Sequence, residues 1–185
     1  MRGRATISET TPLERYGFPQ IKIYDFHQDD PTKCTATKLE RLRLAQPIHS
    51  LHQIPPTAIV LNPTGNKILS IEDRQAIEKD GLVCLDCSWN QAGTVFQKNI
   101  RGENRRLPTL LAGNPTNYSV RGRLSTVEAL AAALIITGFN ERAHQILSVF
   151  RWGKTFLTLN EEPLREYAKA FPAEIFERER EFFPE

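Results

Sequence analysis

The chain has 185 residues, of which 40% are hydrophobic and 25% are charged, and its formal net charge is +2. A chain of this length and composition can bury one substantial core, or one main domain with a smaller appendage, and nothing in the composition indicates disorder. With so small a net charge, any attraction for nucleic acid must come from a local patch of positive residues.

Three features of the sequence predict its compartment. Residues 1–20 are polar and lack the apolar centre of a signal peptide, and the longest apolar run, Ala129–Ile136, is too short to cross a bilayer. The three cysteines are an odd number, which argues against a disulfide framework and fits a reducing environment. We therefore expect a soluble, cytoplasmic protein without a membrane partner.

The first half of the chain is predicted to alternate between strands and helices. Apolar patterns predict strands over residues 21–26, 57–61 and 82–86. An amphipathic helix is predicted over residues 37–45, and Ser70 marks the start of a second helix. Strands that alternate with helices favour a parallel sheet with flanking helices, so the predicted fold class is α/β.

The stretch Leu82–Trp89, with the sequence LVCLDCSW, is the candidate centre of the functional site. Its apolar run stops at a carboxylate, Asp86, and a large aromatic residue follows three positions later. In parallel sheets, ligands bind in the crevice at the carboxyl ends of the strands. We therefore expect the function to lie at residues 86–92.

From Ser125 onward, the spacing of the apolar residues changes to that of helices. A short strand is predicted at residues 107–111 and a loop at residues 114–118. Ser125 and Glu128 then form a capping box directly before an alanine-rich apolar segment. Because that segment is apolar on nearly every face, the helix it forms is predicted to be buried.

The remaining residues are predicted to form further helices with short connections. Gly138 ends the apolar helix, Asn140 caps the next one, and Pro163 opens another in its first turn. We therefore divide the chain into an α/β domain, residues 1–112, and an all-helical C-terminal domain, residues 113–185.

Several kinds of site are disfavoured by the motifs. Cys84 and Cys87 match a C-x-x-C pattern, but a zinc site needs four ligands and there is no second pair. The four histidines show no ligand spacing with partner carboxylates, so no metal site is predicted. The sequence also lacks the glycine-rich dinucleotide fingerprint and the phosphate-binding loop. We interpret both thiols as small core residues.

Polar and small residues follow the predicted strands at what should be one edge of the sheet. They are Thr35, the turn at Leu61 and Pro63, the segment from Asp86 to Trp89, and the capped helix start at Ser125 and Thr126. Such a rim can hold an adenosine, because an apolar slot suits the base and a helix N-terminus suits a carboxylate. The alternative, that these are ordinary turn residues, stays open.

A cluster of positive residues borders this candidate site. Only one acid, Glu103, accompanies its members, which are Lys98, Arg101, Arg105, Arg106, Arg121 and Arg123. Such a cluster beside a pocket suits contacts with an RNA phosphate backbone. The alternative is an ordinary solvated face.

Several ordered motifs together resemble one known family, the ribosomal-RNA aminocarboxypropyltransferases of archaea and eukaryotes. They are DPTKCT at residues 30–35, DCSW at 86–89, LPTLLAGNPTNY at 107–118, LSTVEALAAA at 124–133 and FRWG at 150–153. The resemblance extends from about residue 21 to residue 170. The segments before and after it lie outside the resemblance.

The resemblance implies an enzyme of ribosome biogenesis that uses S-adenosylmethionine and no metal. It would transfer a 3-amino-3-carboxypropyl group to N3 of a pseudouridine or methylpseudouridine in small-subunit rRNA and release methylthioadenosine. The implied fold is related to the SPOUT methyltransferases and contains a trefoil knot, with the cofactor in the α/β domain. The implied partner is small-subunit rRNA or a pre-ribosomal particle, and we expect a monomer. The alternatives are a SPOUT-type RNA methyltransferase and a non-catalytic assembly factor that binds rRNA.

The resemblance also assigns roles to residues of this sequence. Cofactor contacts are implied for Thr35, Leu61, Pro63, Trp89, Ala92, Leu107, Gly122, Ser125 and Thr126. Among these, Leu61, Pro63 and Trp89 would enclose the adenine, and Trp89 with Ala92 would shelter the methyl group. Our hypothesis is that Asp86 accepts or orients the proton of the nucleophile. The alternative is that Asp86 only braces the pocket.

Overall fold

The computed structural model of the chain describes residues 17–28, 34–96 and 100–184. Within these ranges the chain forms an α/β structure of six strands and eight helices, together with two short 3₁₀ turns. The strands are β1 Ile21–Asp25, β2 Gln46–Pro47, β3 Ile59–Leu61, β4 Lys67–Ile68, β5 Leu82–Asp86 and β6 Glu103–Arg106. The helices are α1 Thr35–Arg41, α2 Arg74–Asp80, α3 Ala92–Phe96, α4 Thr126–Ile136, α5 Asn140–Ser148, α6 Gly153–Leu159, α7 Glu161–Tyr167 and α8 Pro172–Phe182.

The six strands form one parallel sheet in the order β2-β1-β5-β3-β6-β4. β5 lies in the middle, pairing with β1 from Ile21↔Leu82 to Asp25↔Asp86, and with β3 on its other side. Because all of the strands run in the same direction, their carboxyl ends meet at one edge. The predicted parallel sheet is therefore confirmed, and Asp86 lies at that edge.

Alternate residues of β5 enter two apolar clusters on opposite sides of the sheet. Leu82 and Cys84 belong to the larger cluster, which includes α4, whereas Val83 and Leu85 belong to the smaller one with Val95. This alternation follows from the two-residue period of a strand. All five residues of β5 are buried because both faces are covered, which explains the continuous apolar run.

The capping box and the buried helix after it are confirmed. The Glu128 carboxylate accepts a hydrogen bond from the Ser125 amide at 2.7 Å, directly before α4. Most residues of α4 are fully buried, as the apolar composition predicts. Gly138 ends the helical segment with a φ of 83°, a left-handed conformation that glycine adopts without steric cost.

Two helix boundaries differ from their predictions. The cap of α5 is Phe139 and not Asn140, because the turn after α4 is so short that the Phe139 carbonyl already accepts from the Ala143 amide at 3.1 Å. α1 begins at Thr35 with Cys34 as its cap, and the chain leaves the helical conformation at Arg43, whose φ is 56°.

The prediction of a strand at residues 107–111 was wrong. The Ala112 amide donates to the Val120 carbonyl at 3.1 Å, and the Gly122 amide donates to Leu110 at 2.8 Å, so this segment bonds to a local loop instead of the sheet. The strand in this region is β6, which lies four residues earlier in the basic segment and pairs with β3 and β4. The sheet thus ends before the predicted boundary at residue 112, and that division into two domains stays a prediction.

None of the helices in the described ranges is both long enough and apolar enough to span a bilayer.

Candidate active site

A cavity of about 1160 Å³ opens at the carboxyl edge of the sheet, and we call it the edge cavity. Its walls come from the loops after β3, β5 and β6, from the start of α1, and from the segment that leads into α4. These segments meet here because the parallel strands deliver their ends to the same side. A cavity at this position is the expected binding site of such a sheet.

The edge cavity brings together nearly all of the predicted cofactor and catalytic residues. Its lining includes Thr35, Leu61, Pro63, Asp86, Trp89, Leu107, Gly122, Ser125 and Thr126. Ala92 is the first residue of α3, and its side chain lies outside the part of the chain that the structure describes. The roles assigned to these residues stay predictions, although their common location is a structural fact.

Asp86 lies at the end of β5 with its carboxylate held by side chains from two helix starts. Its exposed fraction is only 8%. The Thr126 hydroxyl, from the first residue of α4, donates to Oδ1, and the Cys34 thiol, from the cap of α1, donates to Oδ2 at 3.2 Å. Asp86 is therefore a buried acceptor whose orientation is fixed by two donors on the cavity wall.

A second carboxylate lies beside this group. The Cys34 sulfur and one carboxylate oxygen from each of Asp25 and Asp86 lie within 4.8 Å of one another. Asp25 is close to Asp86 because the two residues pair across β1 and β5. The Asp25 carboxylate is also paired with the imidazole of His27 at 3.1 Å. This end of the cavity is therefore rich in negative charge, which suits a cationic ligand.

Trp89 forms part of an apolar wall and is fixed from two sides. Its indole N–H donates to the Leu124 carbonyl at 3.1 Å, and the Arg123 guanidinium lies 5.3 Å from the ring centroid. This arrangement connects the turn after β5 to the segment before α4. The lining of the cavity also includes the apolar residues Leu61 and Leu107.

Glu128 is a structural residue of this site whose full role the sequence did not indicate. Its fully buried carboxylate accepts from the amides of Gly113 and Asn114 at 2.6 and 2.9 Å, and from the amide and hydroxyl of Ser125 at 2.7 Å each. Glu128 therefore joins the two ends of the segment 113–125, which forms one wall of the cavity. The capping-box pattern predicted the bonds to Ser125 only.

The predicted basic patch contains arginines with intramolecular partners. Arg105 bridges Asp73 at 2.9 Å and Glu103 at 3.2 Å, and Arg106 bridges Glu179 at 2.9 Å. The Arg106 side chain also lines the cavity. These two side chains therefore stabilise the fold, whatever else they bind.

Two further arginines of the patch bond to backbone carbonyls. Arg101 donates to the His52 carbonyl at 2.9 Å, and Arg121 donates to the Pro184 carbonyl at 2.9 Å. Arg123 lines the cavity beside Trp89. Lys98 lies outside the described residues. RNA binding by this patch stays a prediction.

The amphipathic pattern of residues 37–45 predicts basic residues on the outer face of α1, and the structure places two of them at the edge cavity. Lys38 and Arg41 line it, and the Lys38 ammonium donates to the Val149 carbonyl at 2.6 Å. The helical period predicted that these residues lie outside the core, but not that α1 borders the site.

Comparisons with known proteins place the chain among proteins of ribosome biogenesis. A family model described as "Ribosome biogenesis protein, C-terminal" matches residues 59–183. A 16S rRNA aminocarboxypropyltransferase from Halobacterium salinarum is 52% identical over 140 residues, or 76% of this chain and 81% of that protein. A protein of the same name from Sulfurisphaera tokodaii is 42% identical over 162 residues, or 88% of this chain and 94% of that protein.

A solved structure supports the same relationship. The SAM-dependent rRNA:acp-transferase Tsr3 from Vulcanisaeta distributa is 43% identical and has a TM-score of 0.82 to this chain, covering 89% of this chain and 88% of that one. A second family model, described as "Possible Fer4-like domain in RNase L inhibitor, RLI", matches residues 19–50. That segment contains a single cysteine, Cys34, whereas a four-iron cluster is held by four.

Proposed function

The chain belongs to the family of 16S rRNA aminocarboxypropyltransferases and is a transferase, and from this premise we propose its donor, acceptor and product. The donor is S-adenosylmethionine, and the acceptor is N3 of a pseudouridine, or of its methylated form, in small-subunit rRNA. The products are the 3-amino-3-carboxypropylated base and methylthioadenosine. The observation that carries this proposal is the edge cavity, in which an apolar wall and a buried carboxylate face the same space.

The residues of the edge cavity fit the chemistry of this donor. Leu61, Pro63 and Trp89 would hold the adenine, since these apolar residues line the cavity. Thr35 and the Leu107 backbone would meet the ribose, and the start of α4 at Ser125 and Thr126 would meet the methionine end, where a helix N-terminus favours a carboxylate. The remaining contacts would come from Ala92, which would shelter the methyl group with Trp89, and from the backbone at Gly122.

The orientation of the bound donor decides which of its groups is transferred. A sulfonium activates each of its three attached carbons, so the wall that covers one carbon and the opening that exposes another decide the product. In the proposed arrangement, the residues around Trp89 cover the methyl group and leave the γ-carbon of the methionine chain accessible. A bond forms between N3 and this carbon, the carbon–sulfur bond breaks with its electron pair going to sulfur, and the N3 proton passes to Asp86.

Small-subunit rRNA, alone or in a pre-ribosomal particle, is the proposed partner. Among the described residues, Arg101, Arg121 and Arg123 form no ion pair, and they are the better candidates for phosphate contacts because Arg105 and Arg106 are bound to carboxylates. Changing Arg101 and Arg121 to alanine should weaken RNA binding and reduce its salt dependence without loss of cofactor affinity. An unchanged salt slope would exclude both residues from the interface.

The proposal also includes the chain topology, the oligomeric state and the cellular location. The interleaved strand order, in which β5 inserts between β1 and β3 and β6 inserts between β3 and β4, supports a SPOUT-like knotted fold. A crystal structure whose chain passes through no loop would contradict the knot. We also propose a cytoplasmic monomer, which light scattering and cell fractionation would test.

The decisive experiment uses cofactor that is labelled in either its methyl or its carboxyl position. The purified protein is incubated with small-subunit rRNA from a strain that lacks the activity, and the label in RNA is counted. We expect the carboxyl label in RNA and the methyl label in methylthioadenosine. Methyl label in RNA would instead establish a SPOUT-type methyltransferase. Absence of cofactor binding by calorimetry would establish a non-catalytic rRNA-binding factor. Transcripts with uridine in place of pseudouridine are the control and should remain unlabelled.

A further inference from the structure

Cys34 joins the start of α1 to the carboxylate at the end of β5. Its Sγ donates to Asp86 Oδ2 at 3.2 Å, and the same sulfur accepts from the Thr37 amide at 3.4 Å as the cap of the helix. The thiol also lines the edge cavity. Cys34 is therefore placed to influence the carboxylate of the site, which a thiol in the apolar core would not do.

The thiol is available as a donor at neutral pH. Burial is the main cause that raises the pKa of Cys34 to about 11, and the nearby Asp86 carboxylate acts in the same direction, although the hydrogen bonds from Thr37 oppose it. Since the sulfur keeps its proton, the contact with Asp86 is an S–H donating to a carboxylate. A thiolate in this position would repel Asp86 instead.

The other oxygen of Asp86 has a donor from a different helix. The Thr126 hydroxyl donates to Oδ1, and the two helix starts are themselves connected by a hydrogen bond of 3.3 Å from the Val127 amide to the Thr35 hydroxyl. With a donor on each oxygen, the carboxylate cannot turn about its terminal torsion without losing one of them. Its orientation toward the cavity therefore depends on both α1 and α4.

We propose that Cys34 is a positioning residue for the transfer reaction, because its thiol holds Asp86 in the orientation in which the carboxylate receives the proton of the nucleophile. This inference rests on the proposed function, in which Asp86 is the proton acceptor. The thiol also offsets the like charge of Asp25, because a hydrogen bond to the ionised form of an acid favours that form.

The titratable neighbours of Asp86 come from every element around it. They are Asp25 at the end of β1 and its partner His27 just after it, Cys34 at the cap of α1, Glu40 within α1, and Cys84 within β5. Burial, followed by Asp25 and Asp86, raises the pKa of Glu40. Since Asp25 and Glu40 are acids, they oppose ionisation of Asp86, whereas the Cys34 thiol supports it. Removal of the thiol should therefore move the acid limb of the pH–rate profile to higher pH.

The test compares Cys34→Ala, which removes the donor, with Cys34→Ser, which replaces the thiol by a hydroxyl. In the carboxyl-label assay with saturating cofactor and RNA, we expect Cys34→Ala to lower kcat by about tenfold, the usual scale for a lost hydrogen bond to a charged group. Its acid limb should move to higher pH while its cofactor Kd stays the same. Cys34→Ser should return both the rate and the profile toward those of the wild type.

A double-mutant cycle separates this role from helix capping. If Cys34 acts through Asp86, Cys34→Ala should cost no further rate in the Asp86→Asn background, measured in single turnovers with excess enzyme. Cys34→Gly provides a variant that retains a favourable helix cap but has no donor, and it should behave like Cys34→Ala.

Three results would overturn the inference, and each is distinct from failure of the proposed function. They are a wild-type rate and pH profile in Cys34→Ala, a serine variant as slow as the alanine variant, and equal losses with and without Asp86→Asn. If the wild-type protein itself transferred no carboxyl label, the proposed function would fail and this inference with it.

Discussion

Two buried carboxylates, Asp86 in the lining of the edge cavity and Glu128 outside that lining, are held in contrasting ways. Asp86, at the end of β5, accepts from side chains, the Thr126 hydroxyl and the Cys34 thiol, and it lies beside another acid, Asp25. Glu128, in the first turn of α4, is fully buried and accepts from three backbone amides, those of Gly113, Asn114 and Ser125, in addition to the Ser125 hydroxyl and the Asn114 side-chain amide.

The difference separates a residue that maintains the structure from one that is suited to chemistry. Backbone amides cannot turn away, so Glu128 fixes the path of the segment 113–125 and is shielded from a ligand. Hydroxyl and thiol donors can rotate, so Asp86 is able to exchange a donor for a substrate proton at the cavity surface. We therefore expect loss of the Asp86 charge to affect mainly the rate, and loss of the Glu128 charge to affect mainly the stability.

The largest expected effect is on the rate of Asp86→Asn. Because an amide of the same size cannot accept the proton, we expect the transfer rate to fall by about 100-fold or more. The unfolding free energy should change by less than about 1 kcal/mol, since Thr126 can still donate to the remaining oxygen and the repulsion with Asp25 disappears. Single-turnover label transfer and urea unfolding measure the two quantities. A wild-type rate would show that Asp86 only braces the pocket.

Glu128→Gln should reduce the stability of the fold more than Asp86→Asn does. The amide nitrogen would face N–H and O–H donors, so we expect a loss of about 2 kcal/mol of unfolding free energy in urea. Cofactor affinity should fall as well, because the segment 113–125 loses its anchor at both ends. Glu141→Gln, an exposed acid in the first turn of α5, is the matched control and should change stability by less than about 0.5 kcal/mol. Equal stability of the two variants would contradict the structural role of Glu128.

Asp86 and Glu128 also show which features of the site a local sequence pattern can predict. The apolar run that stops at Asp86 and the capping box at Ser125 and Glu128 are both short-range signals, and both predictions are confirmed. The partners that distinguish the two carboxylates are distant in the chain: Cys34 is 52 residues from Asp86, and Gly113 is 15 residues from Glu128. These contacts depend on how α1, β5 and α4 pack, and no local pattern encodes them.

The strand β6 shows a second limit. Its four residues, Glu103–Arg106, have no apolar alternation, so the sequence indicated a basic patch there and placed the strand at residues 107–111 instead. The strand forms because its backbone bonds to β3 on one side and β4 on the other. Its charged side chains are tolerated because Asp73 and Glu179, from distant segments, pair with Arg105 and Arg106.

Glu179 extends the comparison to a carboxylate that pairs with an arginine. Although burial alone would raise the pKa of Glu179, the hydrogen bonds from Arg106 and Thr109 lower it below the ordinary value of 4.5. An acid with a lowered pKa stabilises the fold above its unfolded-state pKa, and that contribution is lost as the pH falls through the folded-state pKa. Glu179→Gln should therefore cost about 1 kcal/mol at neutral pH, and the cost should shrink below pH 4.5.

Urea unfolding of the wild type and Glu179→Gln across this pH range measures the effect, with Glu181→Gln as the control. Glu181 forms an exposed pair with Arg178 on the same helix, and such pairs contribute little. Glu179→Gln also tests whether α8 supports the cavity rim at Arg106 and Thr109, which both bond to this carboxylate. A stability difference that stayed constant below pH 4.5 would mean that Glu179 contributes through packing and not through its charge.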